Sequence, residues 1–284
     1  MKFQSSNPVL SPDADFERYY GTMDGGSAGR SVAAADTATL QGIANKTGIL
    51  ALACVAFGAL GYTLLPQLGP SVLWISAIAG FIVTLGVGFA IRSNPKIAAI
   101  GGWIYAAVQG VFLGALTALL DDMLASAIGA EAAAKLGGSL ALPAFIITAA
   151  SLGSMLGLYK AGIIRPTQRF KAVMGVLMGA VMITYLAAFV LGFFGVQIPF
   201  LSLNSAFEGG QAGLIGLGIS LLIFAVASLS LILDFERAEQ IAESGAPKTM
   251  EWVAAFGLLV SLAWVYFEAV KLVFRLAMMF GQRD

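Results

Sequence analysis

Two carboxylates interrupt the apolar runs that close this chain: Asp234, after Leu231-Ile232-Leu233, and Glu268, inside Val265-Tyr266-Phe267-Glu268-Ala269-Val270. A carboxylate carried into a membrane span costs about 2.5–3.5 kcal/mol on insertion scales, so one that stays there needs a charged partner, a proton, water or an ion. The chemistry in prospect is the handling of protons or ions. Each residue also has a plainer reading. Asp234 can be an interfacial carboxylate that begins a solvated extension of its helix. Glu268 can be a local pair with Lys271 or Arg275, three and seven residues along the same helical side. Arg92 ends the second apolar run, and an isolated cation there serves as a topology anchor or a snorkelling side chain.

Other polar residues offer less. Asp121 and Asp122, at the end of the third run, form a candidate acidic mouth that would concentrate cations, or else they end a helix in water. Tyr105 and Gln109 lie four apart and share a helix face, either lining a polar path or hydrogen-bonding between helices. Glu208 reads as solvated. Catalytic constellations are missing: there is no histidine, no phosphate-binding glycine loop, and no serine or cysteine nucleophile with a candidate base. An intramembrane aspartyl protease needs two aspartates in adjoining spans, and here the second is Glu268. The expectation is a protein that is not an enzyme and carries no resident cofactor.

The elements that must position these residues follow from composition. Of 284 residues, 58% are hydrophobic and 11% charged, too few charges for a soluble surface of this size. The 34 glycines suit close helix packing in lipid. Formal net charge is zero, with no basic excess for nucleic acid. The single Cys54 excludes an intramolecular disulfide. Residues 1–47 read as a polar, loosely ordered tail, without the layout of a signal peptide, and residues 48–284 as a membrane domain. Spans of roughly 20 residues are expected over Gly48 to Pro66, Ser71 to Ile91, Ile97 to Leu120, Ser139 to Tyr159, Ala172 to Phe194, Ala212 to Asp234 and Trp252 to Met279. Lys and Arg distribution sets the orientation. One side holds Arg30, Lys46, Arg92, Lys96, Lys160, Arg165, Arg169, Lys171, Arg237 and Lys248, the other only Lys135 and Arg283. The N-terminus is therefore expected in the cytoplasm.

Seven spans, the Leu-Ile-Leu-Asp-Phe setting of Asp234 and the acidic Glu268 resemble the transmembrane Bax inhibitor motif family. Ser6 to Leu10 (Ser-Asn-Pro-Val-Leu), Gln41 to Thr47 and Gln109 to Gly114 are similar to a bacterial branch of it. The resemblance implies an all-α integral membrane protein of a bacterial inner membrane, with the last helix central within a bundle of six. It also implies a pH-sensitive leak of Ca²⁺, in which carboxylates on the last two helices share a proton and exchange contact with an arginine on the second. Asp234, Glu268 and Arg92 take those places. Physical reasoning agrees in part, since two adjacent carboxylates cannot both ionise cheaply and titrate as a pair. Glu268 in place of Asp and a separation of 34 residues are departures. A simple hairpin turning near Ala246 sets Asp234 opposite a residue near Leu258, about 15 Å short of Glu268.

Three functions compete. A Ca²⁺ leak needs oxygen ligands along a path, with Ca²⁺ and protons as its partners besides membrane lipid. A protein that modulates another membrane protein, such as a protease, needs no path, and would use the basic segment from Lys160 to Lys171 and the N-terminal tail. A proton-coupled transporter needs a midplane site and broken helices, hinted at only by Gly213, Gly216 and Gly218.

Overall fold

A computed structural model gives the structure of the protein and describes residues 37–69, 71–135, 138–196, 198, 201–202, 205–208 and 210–281. The tail expected over 1–47 lies outside the described residues up to residue 36, as do the Ser6 to Leu10 segment and Arg283. Every element named below is helical: α1 (Leu40–Leu64), α2 (Ser71–Ser93), α3 (Ala98–Ile128), α4 (Ala130–Lys135), α5 (Ala141–Lys160), α6 (Gln168–Phe193), α7 (Ser205–Glu208), α8 (Gly210–Glu243) and α9 (Met250–Gly281). Seven of them, all but α4 and α7, are long and apolar enough to cross a membrane.

Local chemistry fixes the ends. Thr39 caps α1 by accepting from the Gly42 N–H, and Thr167 caps α6 by accepting from the Phe170 N–H. Asn94 and Pro95 open the short turn before α3. Gly245, at φ 65°, follows the end of α8 in a left-handed conformation that other residues avoid. Two helices outrun the apolar pattern. α1 begins eight residues before Gly48, and α8 continues nine residues past Asp234 to Glu243. Asp234 is thus inside a helix and not at its end.

Packing is uneven, as a membrane fold requires. More than half of the apolar stretch of α9 is buried, against 6% for α5 and for α6, whose outer faces are left to lipid. α9 packs against α1, α3, α5 and α8, and α2 packs chiefly on α3. The closest approach joins α1 to α3. A methyl group on Gly114 would collide with the Gly58 carbonyl oxygen, and one on Gly110 with the Cys54 carbonyl oxygen, so bare glycine lets the two backbones touch. Leu50, Tyr105, Ala106, Leu113, Ala255 and Leu259 form the core where these helices meet α9. A second core, with Leu120, Leu140, Val270, Phe274 and Met278, lies toward the C-terminal end of α9. We call the end of the bundle holding Leu40 the near end and the opposite one the far end.

Candidate functional site

At the near end, charged groups tie helices together. Glu251, in the first turn of α9, accepts from the Thr39 N–H at 2.9 Å and the Thr39 hydroxyl at 3.1 Å, and pairs with Lys46. Gly42 makes room, since a methyl group there would meet the Glu251 carboxylate. Lys171 pairs with Glu236 at 2.5 Å, and the Tyr159 hydroxyl donates to Glu239, joining α5 and α6 to the polar extension of α8.

Asp234 sits one turn deeper. Its carboxyl faces the Ser261 hydroxyl of α9, with Arg237 the nearby cation on its own helix. Its Oδ2 is enclosed and has no hydrogen-bond partner. An enclosed carboxylate oxygen in that state is costly when ionised, and any charge on it calls for a proton, water or a cation.

Glu268 lies deeper in α9 and is fully enclosed, at 0% exposure. The Tyr185 hydroxyl donates to its Oε1 at 2.6 Å, Trp264 Nε1 donates to the same oxygen at 3.3 Å, and Lys271 Nζ donates to Oε2 at 3.0 Å. Lys271, 6% exposed, also donates to the Tyr185 oxygen at 2.6 Å and stands 4.7 Å from the ring centres of both Tyr185 and Phe267. Arg275, 2% exposed, completes the line. It donates to Ser205 Oγ at 2.7 Å and to the Ser202 carbonyl at 2.8 Å, and Gly216 leaves space for its guanidinium. Two cations and one carboxylate thus occupy successive turns of one buried helix face.

The carboxylates on α8 and α9 therefore have separate partners. Ser261 is seven residues before Glu268, about 10 Å of helix. Between those levels lie Ala227, Leu231 and Val265, packed with Phe224, Leu262 and Trp264. Arg92 is exposed at the end of α2 and makes no ion pair among the described residues. Asp121 accepts from the Tyr62 hydroxyl at 2.7 Å, the Ser139 hydroxyl at 2.9 Å and the Leu140 N–H at 2.8 Å, which ties the far ends of α1 and α3 to the start of α5. Asp122 is exposed. Tyr105 is buried, edge-on to Phe256 at 5.3 Å, and Gln109 reaches over Gly80 of α2. Among the described residues no three of His, Cys, Asp or Glu converge as a bound metal would require.

The Glu268 pair with Lys271 was readable from i, i+3 spacing, whereas the part played by Tyr185, Trp264 and Ser205 depends on tertiary placement. Glu251 carried one signal, an acidic residue in the first turn of a long helix, where the helix dipole favours it.

Comparison with known families gives a match. The family model described as Bax inhibitor 1 like covers residues 7–278, nearly the whole chain, with six spans entire and all but the last three residues of the seventh. The chain belongs to this family. No curated protein and no solved structure matches it. As a Bax inhibitor 1 like protein with seven apolar helices, it is an integral membrane protein.

Proposed function

We propose that this protein is a pH-sensitive Ca²⁺ leak, with Asp234 as the group whose proton controls conduction. The observation that carries the reading is the enclosed, unpartnered Oδ2 of Asp234 within a membrane-crossing helix. Losing its proton puts a charge beside the Ser261 hydroxyl and Arg237. That charge is stabilised by water or a cation entering from the near end, which we take to be cytoplasmic from the Lys and Arg distribution. Glu268 has a different part. Its charge is met by Lys271, so it anchors α9 and leaves Asp234 to titrate alone.

The apolar layer of Leu231, Val265 and Leu262 between the two levels is the barrier of the closed state, because a dry hydrophobic constriction stops hydrated ions. Lys271 and Arg275 lie beyond it and repel Ca²⁺ electrostatically, so opening must shift the last helix, the axis of the bundle in this reading, and carry them off the path. With no cluster of three carboxylates among the described residues, an ion in transit there meets one at a time, which suits a leak better than tight binding. Arg92 is the cation that reaches an ionised Asp234 if α2, held chiefly by α3, swings inward. The membrane is a bacterial inner membrane in this account, and no reaction is catalysed.

A second reading has its own support. Lys160, Arg165 and Arg169 are exposed together at the near end, a basic face suited to an acidic segment of another membrane protein. Ca²⁺ entry into proteoliposomes separates the two. Protein-dependent entry that changes with pH supports the leak, and entry no faster than into empty liposomes, with the fold verified, supports the interaction protein.

A further inference from the structure

A cavity of about 650 Å³ lies between α1, α3, α5 and α9. Its floor is Gly110, Leu113 and Gly114 of α3 with Leu259, Ala263 and Tyr266 of α9. Its rims are Val55, Ala59 and Thr63 of α1 and Leu142, Phe145 and Ala149 of α5, all exposed. The rim helices pack on α3, α8 and α9 and leave a slot between themselves. Both cross the membrane, so the slot opens sideways into hydrocarbon and not into water.

The walls are almost wholly apolar, and the exception is at one end. There the Tyr62 and Ser139 hydroxyls converge on Asp121. On α1 the lining runs from Thr63 to Ala51, a rise of twelve residues or about 18 Å of helix. That is a little over half of a hydrocarbon core of about 30 Å, enough to span the depth one leaflet's chains reach. The polar end lies where α1 and α3 finish and α5 begins, at the far boundary of the bundle. A volume near 650 Å³ also falls within the roughly 300–1,000 Å³ typical of ligand sites.

We propose that this crevice is a binding site for an acyl chain of a bilayer phospholipid from the far leaflet, entering sideways between α1 and α5. The chain lies between α1 and α5 over Leu113 of α3, and its end reaches the Cys54 and Leu259 level. Its ester and headgroup region stays at the Tyr62 and Ser139 hydroxyls. The site needs no conduction and so does not depend on the Asp234 reading, although Leu262 of its wall also packs in the layer between α8 and α9.

The test is photo-crosslinking with a phospholipid carrying a diazirine near the end of one acyl chain, reconstituted with the full-length protein. Leu259 and Ala263 are 2% and 5% exposed, shielded by their neighbours from lipid at the outer surface, so label on these two residues must arrive through the crevice. Expected is label on Leu259 and Ala263, falling about tenfold when either rim is filled by Ala59→Phe or Ala149→Phe. Both positions are exposed, so if one variant misfolds the other still reads the site. Label on the exposed residues of α6 should stay unchanged in both. Label confined to outer faces such as Val176 and Phe89, or label on Leu259 and Ala263 that survives both fillings, overturns the proposal. So does recovery, by native mass spectrometry from lipid nanodiscs, of a peptide or no lipid at all in place of a retained phospholipid.

Discussion

Removing one charge of the Glu268 and Lys271 pair should be more damaging than removing both, and the two single changes should differ. Breaking a buried pair by deleting one partner costs about 3–5 kcal/mol, because the remaining charge is left uncompensated. Lys271→Met leaves Glu268 with the Tyr185 and Trp264 donors, at 2.6 and 3.3 Å, which places its cost at the low end, about 3 kcal/mol. Glu268→Gln leaves two buried cations, Lys271 and Arg275, four residues apart on one helix with no carboxylate between them. The two aromatic faces offset only about 1–2 kcal/mol of that, so its cost should reach the high end, about 5 kcal/mol. The double variant Glu268→Gln with Lys271→Met should recover to within about 2 kcal/mol of the native protein. Reversible unfolding in mixed micelles, read by the tryptophan signal, measures all three. Single variants within about 1 kcal/mol of native, or a double variant no better than the worse single, would refute the reasoning.

Further expectations concern the contacts that hold the helices in register. Gly216→Leu should displace the Arg275 guanidinium, since even a methyl group there crowds it, and should cost about 1–3 kcal/mol in the same unfolding assay. Gly114→Leu should part α1 from α3, and a disulfide or spin-label distance between those helices should lengthen while the distance between α8 and α9 is kept. Lys46→Met should leave Glu251 with Thr39 alone and speed amide hydrogen exchange at the start of α1, whereas exchange at Phe274 and its neighbours should not change. A variant in which Lys160, Arg165 and Arg169 become Gln should keep its Ca²⁺ flux if the protein is a leak.

Seven spans were legible because long apolar runs in this chain leave no other solution. The ends of those spans were not. Phe235-Glu236-Arg237-Ala238-Glu239-Gln240 is polar enough to end an apolar span, yet, as the solvated-extension reading of Asp234 allowed, its residues are mostly good helix formers and Lys171 and Tyr159 hold it against α5 and α6. That is why Asp234 is interior to α8. Hairpin arithmetic set Asp234 opposite a residue near Leu258, leaving an asymmetric loop, a shifted helix or separate carboxylates as alternatives, and the structure puts Ser261 there, three residues on. Tyr185, Ser205 and the lateral crevice were invisible for a different reason. They arise from how α6, α7 and α1 settle against α9, and nothing local in the sequence encodes that placement.

The central claim is that Asp234 alone supplies the pH response. Ca²⁺ entry into proteoliposomes across roughly pH 5 to 8, compared for the native chain, Asp234→Asn and Glu268→Asp, tests it most directly. The account predicts a pH-dependent flux in the native protein, a flat profile in Asp234→Asn, and a native profile in Glu268→Asp. A pH response that persists in Asp234→Asn would contradict it.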